Sequence, residues 1–192
     1  MSVSEVTGQG AATNNASGKH ATHEEGDQTW RFSTERVTWS ADREISMAAL
    51  MDWALEQSRV LVRAARGGAQ GAVGFNVALQ LVDGSVLLGS FVEWAVRSEE
   101  ERPLCVAKLS QWVREHGPKY MAVFCDMKGG RPNEAGAKMA VIGASDDAAS
   151  ARIYDLARVK TDGRVVPERE GPGEGIWVDA FQEAMRGRAA GP

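Results

Sequence analysis

The alternation of apolar and polar positions is clearest between Phe75 and Trp94. Phe75, Val77, Leu79 and Leu81 alternate with Asn76, Ala78 and Gln80, and Val86, Leu88, Val92 and Trp94 continue the pattern beyond Asp83-Gly84. Period two predicts two strands, and Asp-Gly is a preferred pair for a tight two-residue hairpin loop. Such a loop pairs Val82 with Ser85 and Leu81 with Val86, so that Leu79 faces Leu88 and Phe75 faces Val92. The expected hairpin buries Phe75, Leu79, Leu88 and Trp94 together beneath the helix that precedes it.

That helix is predicted by a change of period. Within residues 41–66 one face carries Met47, Leu50, Met51, Ala54, Leu55, Leu61 and Val62, and a second strip carries Ile45, Ala49, Trp53 and Val60. Helical spacing of so broad an apolar surface predicts a buried helix, with Ser40 as its N-cap. Upstream, Trp30 and Phe32 alternate with Arg31 and Ser33 as a short strand opening the body.

Downstream, "RSEEERPLCVAKLSQWVREHGPKY" reads as a second helix. Ser98 and Glu101 offer a capping box, Cys105, Leu109, Trp112 and Val113 form the buried face, and Gly117-Pro118 ends it. "YMAVFCDM" is apolar on both faces, which predicts a central strand. "KMAVIGA" and "SARIYDLARV" read as two more strands, although 146–158 could also begin as a helix after Asp146. "TDGRVV" predicts an Asp-Gly turn with a short return strand, and "PEREGPGEG" an exposed loop. "IWVDAFQEAMRG" reads as a closing helix with Trp177, Phe181, Ala184 and Met185 inward.

The expected class is α+β: an antiparallel sheet of about five to six strands packed with three helices, in the order α-β-β-α-β-β-β-α. This element order resembles the profilin-like and Roadblock-like arrangement. The resemblance concerns element order alone and implies no site.

Composition adds a boundary. Residues 1–29 contain no Leu, Ile, Phe, Trp or Tyr, so they lack the apolar area to offset their ordering entropy and read as a polar arm, disordered or pinned by a partner. A single domain over 30–187 and a short tail over 188–192 follow. The chain has 192 residues, and its net charge of −4 gives no reason to expect a nucleic-acid or membrane surface. The N-terminus has no basic start followed by an apolar run, so no signal peptide is expected. Cys105 and Cys125 sit inside apolar patterns, where a thiol acts as a small hydrophobe. This suits a reducing, cytoplasmic setting.

Chemistry-bearing patterns are few. Gly68, Gly71 and Gly74 follow a helix and precede a strand, whereas a phosphate cradle needs glycines that open a helix; Gly67 or Gly68 is expected to end the first helix instead. Asp126 and Lys128 lie two apart at the end of a strand and so point to one face. With Asp83 as an upstream acid, or Glu93 as a further one, they fit a metal-dependent nuclease in which carboxylates hold the ion and Lys128 steadies the attacking water. His20 and His23 lie in the arm with no cysteine nearby and read as a surface pair. His116 suits the end of its helix, and a Cys125–His116 catalytic pair needs a thiol less buried than a central strand allows. Arg152, Arg158, Lys160 and Arg164 are interleaved with Asp155 and Asp162 and lack a stacking platform for bases.

The reading that best fits these features is a non-enzymatic accessory or assembly protein without a cofactor or metal. It would bind a protein partner, or further copies of itself, through the arm or a sheet edge. The six tryptophans point the same way. Two alternatives remain: the metal-dependent nuclease using Asp83, Asp126 and Lys128, and a small-ligand-binding domain using loops 128–136 and 167–175.

Overall fold

A computed structural model describes residues 32–37, 44–66, 74–91, 96–127, 137–155, 158 and 165–187, with Ser33 and residues 62–66 described by backbone alone. The elements run β1 (Phe32–Val37), α1 (Met47–Arg66), β2 (Phe75–Gln80), β3 (Val86–Phe91), α2 (Arg102–His116), β4 (Tyr120–Met127), β5 (Lys138–Ala144), β6 (Ala149–Asp155), β7 (Arg169–Pro172) and α3 (Ile176–Arg186). The class is α+β. Among the described residues the sheet has seven strands in the order β1-β3-β2-β4-β5-β6-β7, and all these pairs are antiparallel. The strand count exceeds the five to six expected because the short opening strand joins the sheet as its β1 edge.

Each helix boundary has a local cause. The first helix begins at Met47, and Glu44–Ser46 precede it, so its cap is Ser46 rather than Ser40, which lies outside the described residues. The Ser46 hydroxyl oxygen accepts the Ala49 N–H at 3.2 Å, satisfying one of the donors that a helix start leaves open. In α2, Pro103 sits in the first turn and the Ser98 hydroxyl oxygen accepts the Glu101 N–H at 3.3 Å. The helix itself starts at Arg102 with Glu101 as its N-cap and no side-chain cap, so this bond lies in the preceding turn and the expected capping box is not formed. Gly117 closes the helix at φ 58, donating its N–H to the Val113 carbonyl, as a left-handed C-terminal glycine does.

The sheet is buried on both faces. Leu50, Met51, Trp53 and Ala54 of α1 pack against Ala122, Phe124, Met139 and Val141 on one side. On the other, Leu109, Trp112 and Val113 of α2 and Val178, Phe181 and Ala184 of α3 pack against Val77, Leu79, Met121 and Val123. The predicted inward face of α2 is the observed one. In α3 Trp177 and Met185 are half-buried and Val178 joins the core. On α1, Val60 of the second strip is 58% exposed.

Two-sided burial corrects the hairpin. The observed register pairs Gln80 with Val86, Leu79 with Leu87 and Phe75 with Phe91, one residue away from the expected pairing. The loop is three residues long. Leu81 donates its N–H to the Ser85 carbonyl at 2.8 Å, Gly84 donates to the Leu81 carbonyl at 3.1 Å, and Gly84 has φ 81. This is the turn followed by a left-handed glycine that three-residue hairpins favour. Val82 is therefore exposed rather than paired with Ser85. Leu87 and Leu88 are both apolar, so alternation alone accommodates either register; helices cover both faces, and no solvated face penalises the slip. Phe75 and Leu79 lie on the α2–α3 face and Leu88 on the α1 face, not together beneath α1. Trp94 lies outside the described residues.

The last strand also departs from expectation. Val165–Pro167 are irregular, and the return strand is Arg169–Pro172, inside the segment expected as a loop. It pairs with Ser150–Ile153. Backbone pairing at a sheet edge needs no apolar side chains, so the polar run "REGP" carries no pattern that could reveal it. Arg152 ties this edge to α1: its Nη1 donates to Asp52 Oδ1 at 2.7 Å and its Nε to Glu170 Oε1 at 2.9 Å. Tyr154 beside it is buried, and burial pushes its phenol pKa above the ordinary value, opposed by Arg152.

Two glycines are set by how closely the helices and strands approach. A Cβ on Gly89 would stand 2.7 Å from ring atoms of Phe32 and Trp112, and one on Gly143 would stand 2.6 Å from the Met51 sulfur. Gly89→Ala is expected to lower the unfolding free energy by about 1–3 kcal/mol, because packed rings leave no room for a methyl group. Gly143→Ala is expected to cost less, since methionine side chains repack readily. Urea denaturation of both variants reads the difference, and a smaller loss at Gly89 than at Gly143 contradicts it.

Candidate functional site

One row of residues crosses the sheet near the C-terminal end of β4. Phe32 pairs with Phe91, Phe91 with Phe75, and Phe75 with Cys125. Directly paired residues share a face, and here it is the α2–α3 face. The phenylalanine rings stack in sequence along the row. Phe32 and Phe91 are 4.7 Å apart between centroids, Phe91 and Phe75 are 6.0 Å apart, and Phe75 lies 4.4 Å from Trp177 at the start of α3.

Beyond Phe75 the row opens into a cleft of about 240 Å³. Phe75, Val123, Ile142, Trp177 and Val178 make its apolar wall, the half-buried Cys125 contributes its thiol, and Arg97, Asp126 and Glu174 bring charge to it. Arg97 Nη2 lies 3.7 Å from Asp126 Oδ2, an ion pair longer than a hydrogen bond. The Asp126 side chain is 1% exposed and that of Arg97 is 39% exposed. The cleft lies where α3 begins, at Gly175 with φ 122. Gly74 and Val96 line the cleft at the same end of the sheet as Asp126. Segments 67–73 and 128–136 are rich in glycine and lie outside the described residues.

The structure does not bring together the acids of the nuclease reading. Asp83 lies in the β2–β3 turn and Asp126 at the far end of β4, beside the opposite end of β2. At about 3.3 Å per residue the separation is on the order of 20 Å, too far for both to hold one ion. Lys128 and Glu93 lie outside the described residues. Asp83 has a local role. Its Oδ1 accepts the Ser85 N–H at 2.9 Å and the Ser85 hydroxyl at 2.6 Å, and its Oδ2 lies 3.6 Å from Arg36 Nη1. The Ser85 hydrogen bonds, aided by Arg36, hold its pKa below the usual carboxylate value. Among the described residues no group of three or more His, Cys, Asp and Glu side chains is placed to hold a metal ion. His116 leads into the start of β4 while Cys125 lies near its end, so these two are also apart. His20, His23, Lys160 and Arg164 lie outside the described residues.

Loop 167–175 supplies Glu174 and Gly175 to the cleft, whereas loop 128–136 lies outside the described residues. Arg97 and Trp177 were not foreseen here. A lone arginine in a polar run carries no sequence signal, and Trp177 reads as an ordinary inward residue of an amphipathic helix. No protein-family model matches the chain, and no curated protein or solved structure shows significant similarity to it. No helix among the described residues is long and apolar enough to cross a membrane.

A double-mutant cycle of Arg97→Gln and Asp126→Asn tests the ion pair. The expected coupling in unfolding free energy is about 1 kcal/mol, modest because Arg97 reaches solvent. Additive single losses would show that the two charges do not act on each other.

Proposed function

We propose that this chain is a non-enzymatic binding protein that engages a protein partner, or a second copy of itself, along the outer edge of β1. The supporting observation is the contrast between the two edges of the sheet. β7 is four residues long, charged and ended by Pro172, the form in which edge strands are usually blunted against pairing. β1 is six residues long with no proline, and Thr34, Glu35 and Arg36 are exposed. Its outer N–H and C=O groups suit the addition of an extended segment, a mode in which backbone hydrogen bonds supply affinity and alternate side chains supply specificity. The polar residues 1–29 precede this strand in the sequence.

Successive N–H groups of an antiparallel strand point alternately to its two neighbours. Of Thr34→Pro and Glu35→Pro, one therefore removes a donor from the β1–β3 ladder and the other removes an outward donor only. The tagged full-length chain is used to capture associated protein, and its own mass is followed by light scattering. The expected result is a defined species lost with the variant whose melting temperature is unchanged. A species retained equally by both variants contradicts the edge.

A second reading is favoured by the cleft. Its apolar wall with a few polar groups at the margin is the usual make-up of a small-molecule site, and an uncharged aromatic molecule suits Phe75 and Trp177. Filling the cleft by Ile142→Phe is expected to abolish binding of the neutral dye N-phenyl-1-naphthylamine by the wild-type chain, measured by fluorescence. Unchanged dye binding places it elsewhere.

A further inference from the structure

Among the described residues β1 closes the sheet on one side, with β3 as its neighbour strand. It pairs with β3 residue for residue from Phe32↔Phe91 to Val37↔Val86, with no bulge. Its sequence FSTERV holds no lysine or proline, so the usual devices that blunt an edge against pairing are missing from it. Within the edge reading proposed above, on which this rests, we infer that the partner is a second copy of the chain and that the two β1 strands pair antiparallel about a two-fold axis at Thr34.

Pleat and charge select this register. Successive β1 residues face opposite sides: Phe32 packs with the α2–α3 core and Val37 with the α1 core. Directly opposed residues of an antiparallel pair share a face. A strand paired with its own copy therefore has the axis on a residue, never between two. Over Phe32–Val37 the two longest such registers have the axis at Thr34 or at Glu35. An axis at Glu35 sets that carboxylate against its own copy, and like charges directly opposite destabilise a strand pair. An axis at Arg36 repeats the fault and shortens the overlap. An axis at Thr34 sets threonine against threonine, a favourable cross-strand pair. It also places Arg36 of each copy opposite the partner's Phe32, a guanidinium beside an aromatic ring. Thr34 and Arg36 are exposed, so the pairing asks for no repacking of the core. A single strand pair is a small interface, and the dimer is expected to dissociate on dilution.

The test is the mass of the full-length chain by light scattering at rising concentration. Wild type is expected to move from monomer to dimer. Thr34→Lys and Thr34→Glu each place like charges on the axis, and each alone is expected to stay monomeric where wild type is dimeric. Mixed in equal amounts, the two variants bring opposite charges together on the axis, and the dimer is expected to return. Thr34→Cys under a mild oxidant is expected to form a dimer linked at position 34 several-fold faster than Glu35→Cys links at position 35, read by peptide mass spectrometry. Wild type that stays monomeric at every concentration overturns the inference. So do charge variants that dimerise alone, a mixture that stays monomeric, or equal linking at positions 34 and 35. A different protein captured by monomeric wild type, and lost with the proline variant whose melting temperature is unchanged, overturns self-pairing and leaves the edge reading standing. Capture or dimerisation retained equally by both proline variants removes the edge reading and this inference together.

Discussion

Burial of the sheet on both faces is the constraint on which the rest of the structure depends. α1 covers one side and the α2–α3 pair covers the other, so β2, β4 and β5 present apolar side chains in both directions. The close approach of these layers explains the glycines at positions 89 and 143, where a side chain would intrude on rings or methionines. It also isolates Gln80, which is fully buried with neither amide atom hydrogen-bonded among the described residues. A buried amide without a partner costs on the order of 1–3 kcal/mol, which the surrounding apolar burial offsets.

The same layering creates the cleft. Near the end of β4 the row Phe32–Phe91–Phe75–Cys125 continues past the point where α3 begins. Rings fill the β1 side of that row, and on the β4 side, among the described residues, the first turn of α3 stands over the strands. The space left is apolar because the row belongs to the core face, and charged at its margin because Arg97 and Asp126 meet at the strand end. Strand direction alone keeps Asp83 and Asp126 at opposite ends of β2.

The two edges of the sheet are stabilised differently. β7 is secured by side chains: Arg152 reaches both Asp52 on α1 and Glu170 on β7, and Lys138 pairs with Glu168 just before the strand. β1 is secured mainly by packing, with Phe32 wedged between Phe91 and the edge of Trp112. The first arrangement restrains a short polar strand that has little to bury. The second restrains a longer strand through the rings it carries into the core.

Local chemistry in the sequence determined most of the elements. Helical spacing placed α1, α2 and α3, Gly117 ended α2, apolar residues on both faces marked β4 as central, and Asp83-Gly84 located the hairpin bend. These depend on neighbours a few positions apart, and the chain order records them directly. Tertiary structure decided the rest. The hairpin register turned on which of Leu87 and Leu88 faces α1, which no alternation can settle once both faces are covered. β7 exists through backbone bonds to β6, Ser46 replaced Ser40 as the cap because α1 starts later than its apolar pattern, and Arg97 met Asp126 across a distance in sequence that carries no pattern. The cleft belongs to this second class. It is the gap left by a sheet and a helix that meet only after folding, and its lining residues come from segments whose spacing along the chain bears no relation to their distance in space.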